Sequence, residues 1–381
     1  MKHAVEIDLI DEVLALKSAG SAFLNAAPTQ SPADRYVSKD RFRQEQVRIF
    51  IKLPGIVAHV SELANPCDFI TREVAGRSIL ITRDKGGQVN AFVNACRHRG
   101  TRLVGDGQGS KRHFSCPYHA WTYANTGELI SAPHFDRGFP GCDKSSLNLV
   151  RLHAREAFGF IWVTVNPDEN FDFDAFFEDI AYDLESLHMA DMDIKVQNTQ
   201  LRYANWKILI EGGIESYHFK IAHKSTIGPF FEDNLSTCKM LGTHMRSVLP
   251  RSTIGDLKNQ PRDRWRLRDH ANVLYTLFPG CQILAQQDHV VWISIRPQSV
   301  GRTEVRLATM APKNADQSQD YWQKNHTITT ETLNEDFSIG ESVQNNAETG
   351  AVTTMLFGWF ESALDTFNRR VEACLDRPSC R

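Results

Sequence analysis

Cys96-Arg-His98-Arg-Gly100 and, after seventeen intervening residues, Cys116-Pro-Tyr-His119-Ala-Trp121 decide how the first half of the chain is read. Each stretch offers one cysteine and one histidine, as C-x-H and C-x-x-H. Two soft thiolates and two imidazoles on tight loops can hold a [2Fe–2S] cluster, with the cysteines on one iron and the histidines on the other. Exchanging two thiolates for neutral imidazoles makes such a cluster less negative and raises its potential above that of an all-cysteine cluster. Gly100, Gly105, Gly107 and Gly109 let the first loop turn closely, and Pro117 stiffens the second. A zinc finger would place paired cysteines before paired histidines at other gaps, and this pattern does not match it.

Working outward, short β-type runs at residues 55–60, 78–82, 89–93, 113–115 and 158–165 surround the two loops. Turn signals such as Lys85-Gly-Gly87 and Asn125-Thr-Gly127 punctuate them, so residues 48–167 are expected to form a small all-β domain. Residues 1–47 read as an amphipathic helix over 1–16 and then loop, with a break at Thr29-Gln-Ser-Pro32; this segment is expected to pack on the C-terminal domain. Residues 168–381 mix classes. Helical patterns at 171–189, 206–223 and 321–375 accompany alternating strands at 283–297 and 303–310 around Ser299-Val-Gly301, which predicts an α+β domain.

Bulk properties narrow the function classes. A net charge of −3 over 381 residues gives no basic surplus for nucleic acid. The absence of an apolar run of eighteen residues predicts no membrane span. The start of the chain lacks the basic and apolar regions of a signal peptide, so a cytoplasmic location is expected. In that setting Cys67, Cys142, Cys238, Cys281, Cys374 and Cys380 read as free, partly buried thiols.

A second group of metal-ligand types follows in Ile208-Leu-Ile-Glu211-Gly-Gly-Ile-Glu215-Ser-Tyr-His218-Phe-Lys-Ile-Ala-His223. Two histidines and a carboxylate on one face of an ion leave positions open for O₂ chemistry beside a substrate. On a regular helix His218 and His223 would point well away from each other. Both reach one metal only if the helix ends, bends or bulges between them.

Taken together, these motifs resemble the α subunits of Rieske ring-hydroxylating oxygenases. The resemblance runs from about Val57 to the C-terminus and is nearest to members acting on quaternary ammonium compounds such as carnitine, choline and betaines. It implies an N-terminal Rieske domain and a C-terminal helix-grip catalytic domain, assembled as a homotrimer. It implies that Cys96, His98, Cys116 and His119 bind the cluster and that His218 and His223 bind a mononuclear non-haem iron. Glu215 matches the family's bridging carboxylate, which links an iron ligand to a cluster histidine of a neighbouring subunit. Glu335-Asp336-x-x-x-x-Glu341-x-Val-Gln344 looks like the segment that supplies the third iron ligand, assigning Asp336, with Glu335, Glu341 and Asp365 as the other acidic candidates. Many relatives carry Asn where this chain has Gly212, followed here by Gly213; two glycines in a helix cost about 1 kcal/mol each relative to alanine.

The implied activity is that of a terminal oxygenase using O₂ to hydroxylate or oxidatively demethylate a small organic substrate. The chain has no G-x-G-x-x-G after a strand, so electrons are expected from a separate flavin and iron–sulfur reductase using NADH or NADPH. For a quaternary ammonium substrate, Tyr203, Tyr275, Phe278, Trp292, Phe357, Trp359 and Phe360 are the available aromatic faces. The rival substrate is an aromatic compound or aromatic acid, which would favour Arg246, Arg251 or Arg296 near the pocket. The rival from another class is a Rieske electron carrier, which leaves the C-terminal region and its histidines without a role.

Overall fold

Val74 pairs with Arg77 across a two-residue turn in which Ala75 and Gly76 both have positive φ, 50° and 74°. Such turns carry the twist of the strands they join, and this one connects Asp68–Val74 to Arg77–Arg83. The computed structural model describes residues 1–20, 27–168 and 170–376. It divides into two units, Gln46–Phe173 and, separately, Met1–Glu45 with Asp174–Arg381.

The first unit is β throughout its framework. A five-stranded antiparallel sheet runs in the order Arg151–Leu152, Val89–Val93, Arg77–Arg83, Asp68–Val74, Gln108–Ser110. A three-stranded sheet of Ala154–Ala157, Phe160–Val163 and Gly55–His59 shares its core of Ile70, Ile79, Ile81, Ile161 and Val163. A second three-stranded sheet, His113–Ser115, Thr122–Ala124 and Leu129–Ser131, carries the second ligand loop.

The other unit is built on a seven-stranded antiparallel sheet in the order Met192–Arg202, Arg302–Pro312, Val290–Ser299, Cys281–Ala285, Ala271–Leu277, His244–Pro250, Thr237–Leu241. The thirty-residue helix Gln319–Glu348 packs against its first two strands and against the short helix Trp206–Ile214. Asn205 starts the short helix, its side chain accepting the Lys207 N–H at 3.0 Å. The N-terminal segment then pins that helix from below. Lys207, fully buried, pairs with Glu45 at 2.5 Å; Trp206 Nε1 donates to the same carboxylate, and Tyr36 donates to Glu211 at 2.9 Å.

Several expected elements are divided differently. Thr29–Pro32 is a short strand paired with Thr354–Phe357, not a break, because its partner lies far downstream. That pairing also interrupts the helix expected over 321–375, which becomes Gln319–Glu348 and Ser362–Asp376. The run 283–297 is two strands, with Ala285 opposite Val290 across the polar Gln286–His289 turn. The helix expected over 171–189 is split into Phe173–Phe177 and Ala181–Glu185. Cys380 lies outside the described residues. Among the described residues no helix is long and apolar enough to cross a membrane.

Candidate cluster and metal sites

The two ligand loops of the β unit share one backbone closure. In the first, Cys96 N–H donates to Thr101 O and Gly100 N–H to Cys96 O, both at 2.8 Å. In the second, Cys116 N–H donates to Trp121 O at 2.8 Å and Ala120 N–H to Cys116 O at 3.0 Å. The fifth residue of each loop is left-handed, Gly100 at φ 76° and Ala120 at φ 56°. A Cβ on Gly100 would meet nothing within 4 Å, so glycine serves the backbone angle there and not a close contact.

These loops bring the four predicted residues together. Cys96 and Cys116 are buried, and burial raises the Cys96 thiol while a contact from Tyr123 OH at 3.4 Å opposes the rise. The His98 ring lies 4.8 Å from that of His119 and stacks on Trp121 at 5.0 Å. His98 Nδ1 is buried without a hydrogen-bond partner, as a nitrogen meant for a metal would be. Among the described residues, the one group of three or more donors that converges on a point is elsewhere, so these four do not suit a single ion. They fit a two-iron cluster, whose ligands divide between its irons. Tyr123, which also accepts the Arg97 N–H at 3.0 Å, was not singled out from sequence.

The converging group is His218, His223 and Asp336. The helix Trp206–Ile214 ends before the histidines, and Glu215 is extended at φ −126° and ψ 163°. His218 then opens and His223 closes the single turn Phe219–Ala222. Because each histidine sits at a helix end and not inside it, the five-residue spacing brings their Nε2 atoms to 3.1 Å. Asp336, on the long helix, places Oδ1 at 3.3 Å from His218 Nε2 and 3.0 Å from His223 Nε2. Donors ~2.1 Å from an ion and at right angles lie ~3 Å apart, so the three fit one face of an octahedral site.

Carboxylates hold the far side of both rings. Glu215 hydrogen-bonds His218 Nδ1 and also accepts the Tyr217 N–H, while Glu335 Oε2 lies 2.7 Å from His223 Nδ1 and accepts the Thr226 hydroxyl at 2.6 Å. Such partners fix which ring nitrogen faces a metal. Glu335, considered above as a rival ligand, therefore takes a supporting position. Burial works against charge on His218, but Asp336 and Glu215 override it and push its pKa up to about 10. Burial would likewise raise Asp336, yet the two histidines hold it below the usual carboxylate range.

A cavity of about 470 Å³ opens beside His223 and Asp336, with Gly212 and Gly213 at the same end. A Cβ on Gly213 would come within 3.0 Å of the Gln282 amide, whereas one on Gly212 would meet only Asp336 Cβ at 3.8 Å. The aromatic faces expected from sequence do not line this cavity. Tyr275, Phe278 and Trp292 are buried core and Tyr203 is exposed; Phe219, Phe230 and Phe231 line it instead. Of the three arginines, Arg246 is paired with buried Asp183 at 2.6 Å and Arg296 with Glu304, while Arg251 borders the cavity.

Comparison with known proteins gives two family matches. Residues 54–150 match the Rieske [2Fe-2S] domain, and residues 177–377, just over half the chain, match the ring hydroxylating alpha subunit (catalytic domain). The carnitine monooxygenase oxygenase subunit of Acinetobacter pittii (strain PHEA-2) is 36% identical over 54% of this chain and 54% of its own length. The anthranilate 1,2-dioxygenase large subunit of Acinetobacter baylyi (strain ATCC 33305 / BD413 / ADP1) is 29% identical over 50% of this chain and 41% of its own. The chain thus spans about half the length of the curated relatives it matches. The crystal structure of the quaternary ammonium Rieske monooxygenase CntA with an inhibitor shares the fold, with a TM-score of 0.80 at 24% identity over 92% of this chain and 97% of that one. The cofactors that these domains carry are a Rieske [2Fe–2S] cluster and a mononuclear iron, and both donor sets described above suit them. The chain belongs to the ring-hydroxylating oxygenase α-subunit family, with a Rieske domain preceding the catalytic one.

Proposed function

We propose that the protein is the terminal oxygenase component of a multicomponent Rieske oxygenase. It would take electrons from a separate NAD(P)H-dependent reductase and use O₂ to hydroxylate or demethylate a small organic molecule. The observation that carries this reading is the His218, His223, Asp336 triad, with donor separations of 3.0 to 3.3 Å, at the edge of a cavity large enough for a small substrate. Cys96, His98, Cys116 and His119 are the proposed cluster ligands; His218, His223 and Asp336 are the proposed iron ligands. When bound, the cluster supplies electrons one at a time and the iron supplies O₂ activation.

The chain's own residues orient and connect. Glu335 holds His223 with Nε2 toward the triad, and Glu215 does the same for His218. Glu215 is the proposed link from the iron site to the cluster of a neighbouring subunit in a cytoplasmic homotrimer. Tyr217, Ile221 and Trp359, apolar yet at least half exposed around this segment, support a subunit contact there. Relatives named for carnitine favour a quaternary ammonium substrate, and the relative named for anthranilate keeps an aromatic acid as the second reading. Arg251 at the cavity is the observation that favours keeping it.

Reductase-coupled oxygen uptake across quaternary amines and aromatic acids tests the reading. Uptake that depends on one of these compounds is expected. A reduced cluster that drives no substrate-dependent uptake, in a chain carrying only the cluster irons, would establish an electron carrier instead.

A further inference from the structure

Arg251 follows the strand His244–Pro250 and faces the cavity that His223 and Asp336 border. Its backbone is fixed, with its N–H donating to His270 O at 2.8 Å and a bridge to Phe231. Its guanidinium makes one hydrogen bond among the described residues, from Nη2 to Asn272 Oδ1 at 3.0 Å. Among the described residues no carboxylate oxygen comes within 4.0 Å of it. Asp269, which also lines the cavity, and Asp288 attract Arg251 from farther away, but burial outweighs both and lowers the arginine's pKa. A guanidinium has five N–H donors, and holding one half-buried beside Leu249, Leu274 and Leu284 without a paired anion is unfavourable.

The strand Ala271–Leu277 contributes Asn272 and Leu274 to the cavity wall. Asn272, Leu274 and Thr276 share one face by alternation. Asn272 holds Arg251 at one end, and Thr276 meets Gln282, the neighbour of Gly213, at the other. Four residues of strand span roughly 13 Å. Arg251 stands at the Asn272 end of this stretch, and His223 and Asp336 border the same largely apolar cavity, whose volume of about 470 Å³ takes a small molecule.

We propose that Arg251 is the substrate-recognition residue of this cavity: it pairs with the carboxylate of a small organic acid, with Asn272 steadying the guanidinium, and leaves the acid's other end beside His223 and Asp336. The inference rests on reading the cavity as the substrate site of an iron oxygenase. It narrows the substrate class to carboxylates, whether the far end is a quaternary ammonium group or an aromatic ring.

The test is equilibrium binding to the full chain loaded with cluster and iron, using L-carnitine against its methyl ester and anthranilate against its methyl ester. A charge-assisted contact of this kind predicts that an acid binds about 10- to 100-fold tighter than its ester. Arg251→Met should weaken that acid by the same factor and leave the ester unchanged, while Arg251→Lys should keep part of the preference. Arg251→Gln is the substitute should the Met variant not fold, as judged by thermal midpoint and iron content. No acid preference in either pair, or a preference that survives loss of the arginine's charge, overturns the proposal. Binding does not require turnover, so the two readings separate. Acid preference lost in Arg251→Met without coupled oxygen uptake upholds Arg251 and counts against the oxygenase, whereas substrate-dependent uptake with an unchanged acid preference overturns Arg251 alone.

Discussion

His218 Nε2 and His223 Nε2 lie 3.1 Å apart because the two residues are the opposite caps of one helical turn. Removing either imidazole should release the mononuclear iron and leave the cluster's visible absorption unchanged. Iron content and the visible spectrum of His223→Ala check this; loss of the cluster bands as well would contradict two independent sites.

Glu335 touches His223 on the nitrogen that faces away from the triad. Glu335→Gln should weaken iron binding or activity by about 10- to 100-fold, the range for partners of metal-bound histidines. An iron titration of the variant measures it. A complete loss equal to that of His223→Ala would instead make Glu335 a ligand.

Tyr123 places its hydroxyl at Cys96 Sγ. A hydrogen bond to a cluster-bound sulfur stabilises the more negative, reduced state. Tyr123→Phe should lower the cluster potential by tens of millivolts, since ~59 mV corresponds to a tenfold change for one electron. Redox titration of the holoprotein checks the direction; an unchanged or raised potential would contradict the contact.

Burial raises the Glu211 carboxyl to about 7, although Asn368 and Tyr36 donate to it. A folded-state pKa above the ordinary 4.5 makes the protonated form the stable one. Its contribution is full below about pH 4.5 and is lost as pH rises through 7. Glu211→Gln, which mimics that form, should raise the thermal midpoint at pH 8 more than at pH 5, by up to about 3 kcal/mol in stability. Equal effects at both pH values would count against the shift.

Gly212 and Gly213 look equivalent in sequence but not in space. Gly213→Ala should destabilise, because its methyl meets the Gln282 amide that bonds Ile210 O at 3.3 Å. Gly212→Ala should gain up to about 1 kcal/mol of helix stability while narrowing the cavity beside Asp336. Thermal denaturation of the pair distinguishes them.

What the sequence made legible follows the range of the forces involved. The ligand spacing of Cys96, His98, Cys116 and His119 is local, so those residues could be read directly. The need for the helix to end, bend or bulge between His218 and His223 was readable as a geometric requirement, but its end at Glu215, ahead of both histidines, was not. Asp336 was named by resemblance and not by physics, since nothing near it in sequence distinguishes it from Glu335. Their separation comes from which face of the long helix meets the turn Phe219–Ala222. The cavity lining was misread in its aromatics for the same reason. Tyr275 and Trp292 alternate onto the buried face of the sheet, and alternation alone does not say which face is hollow.

The matched closure of residues 96–101 and 116–121 bears on how the protein matures. Both loops are held by main-chain bonds that no iron has to supply. The backbone of both loops is thus closed by the chain's own hydrogen bonds, so cluster insertion is expected to leave these main-chain contacts unchanged. His98 stands third and His119 fourth within matching backbone frames, so one main-chain design, used twice, sets both halves of the receptacle.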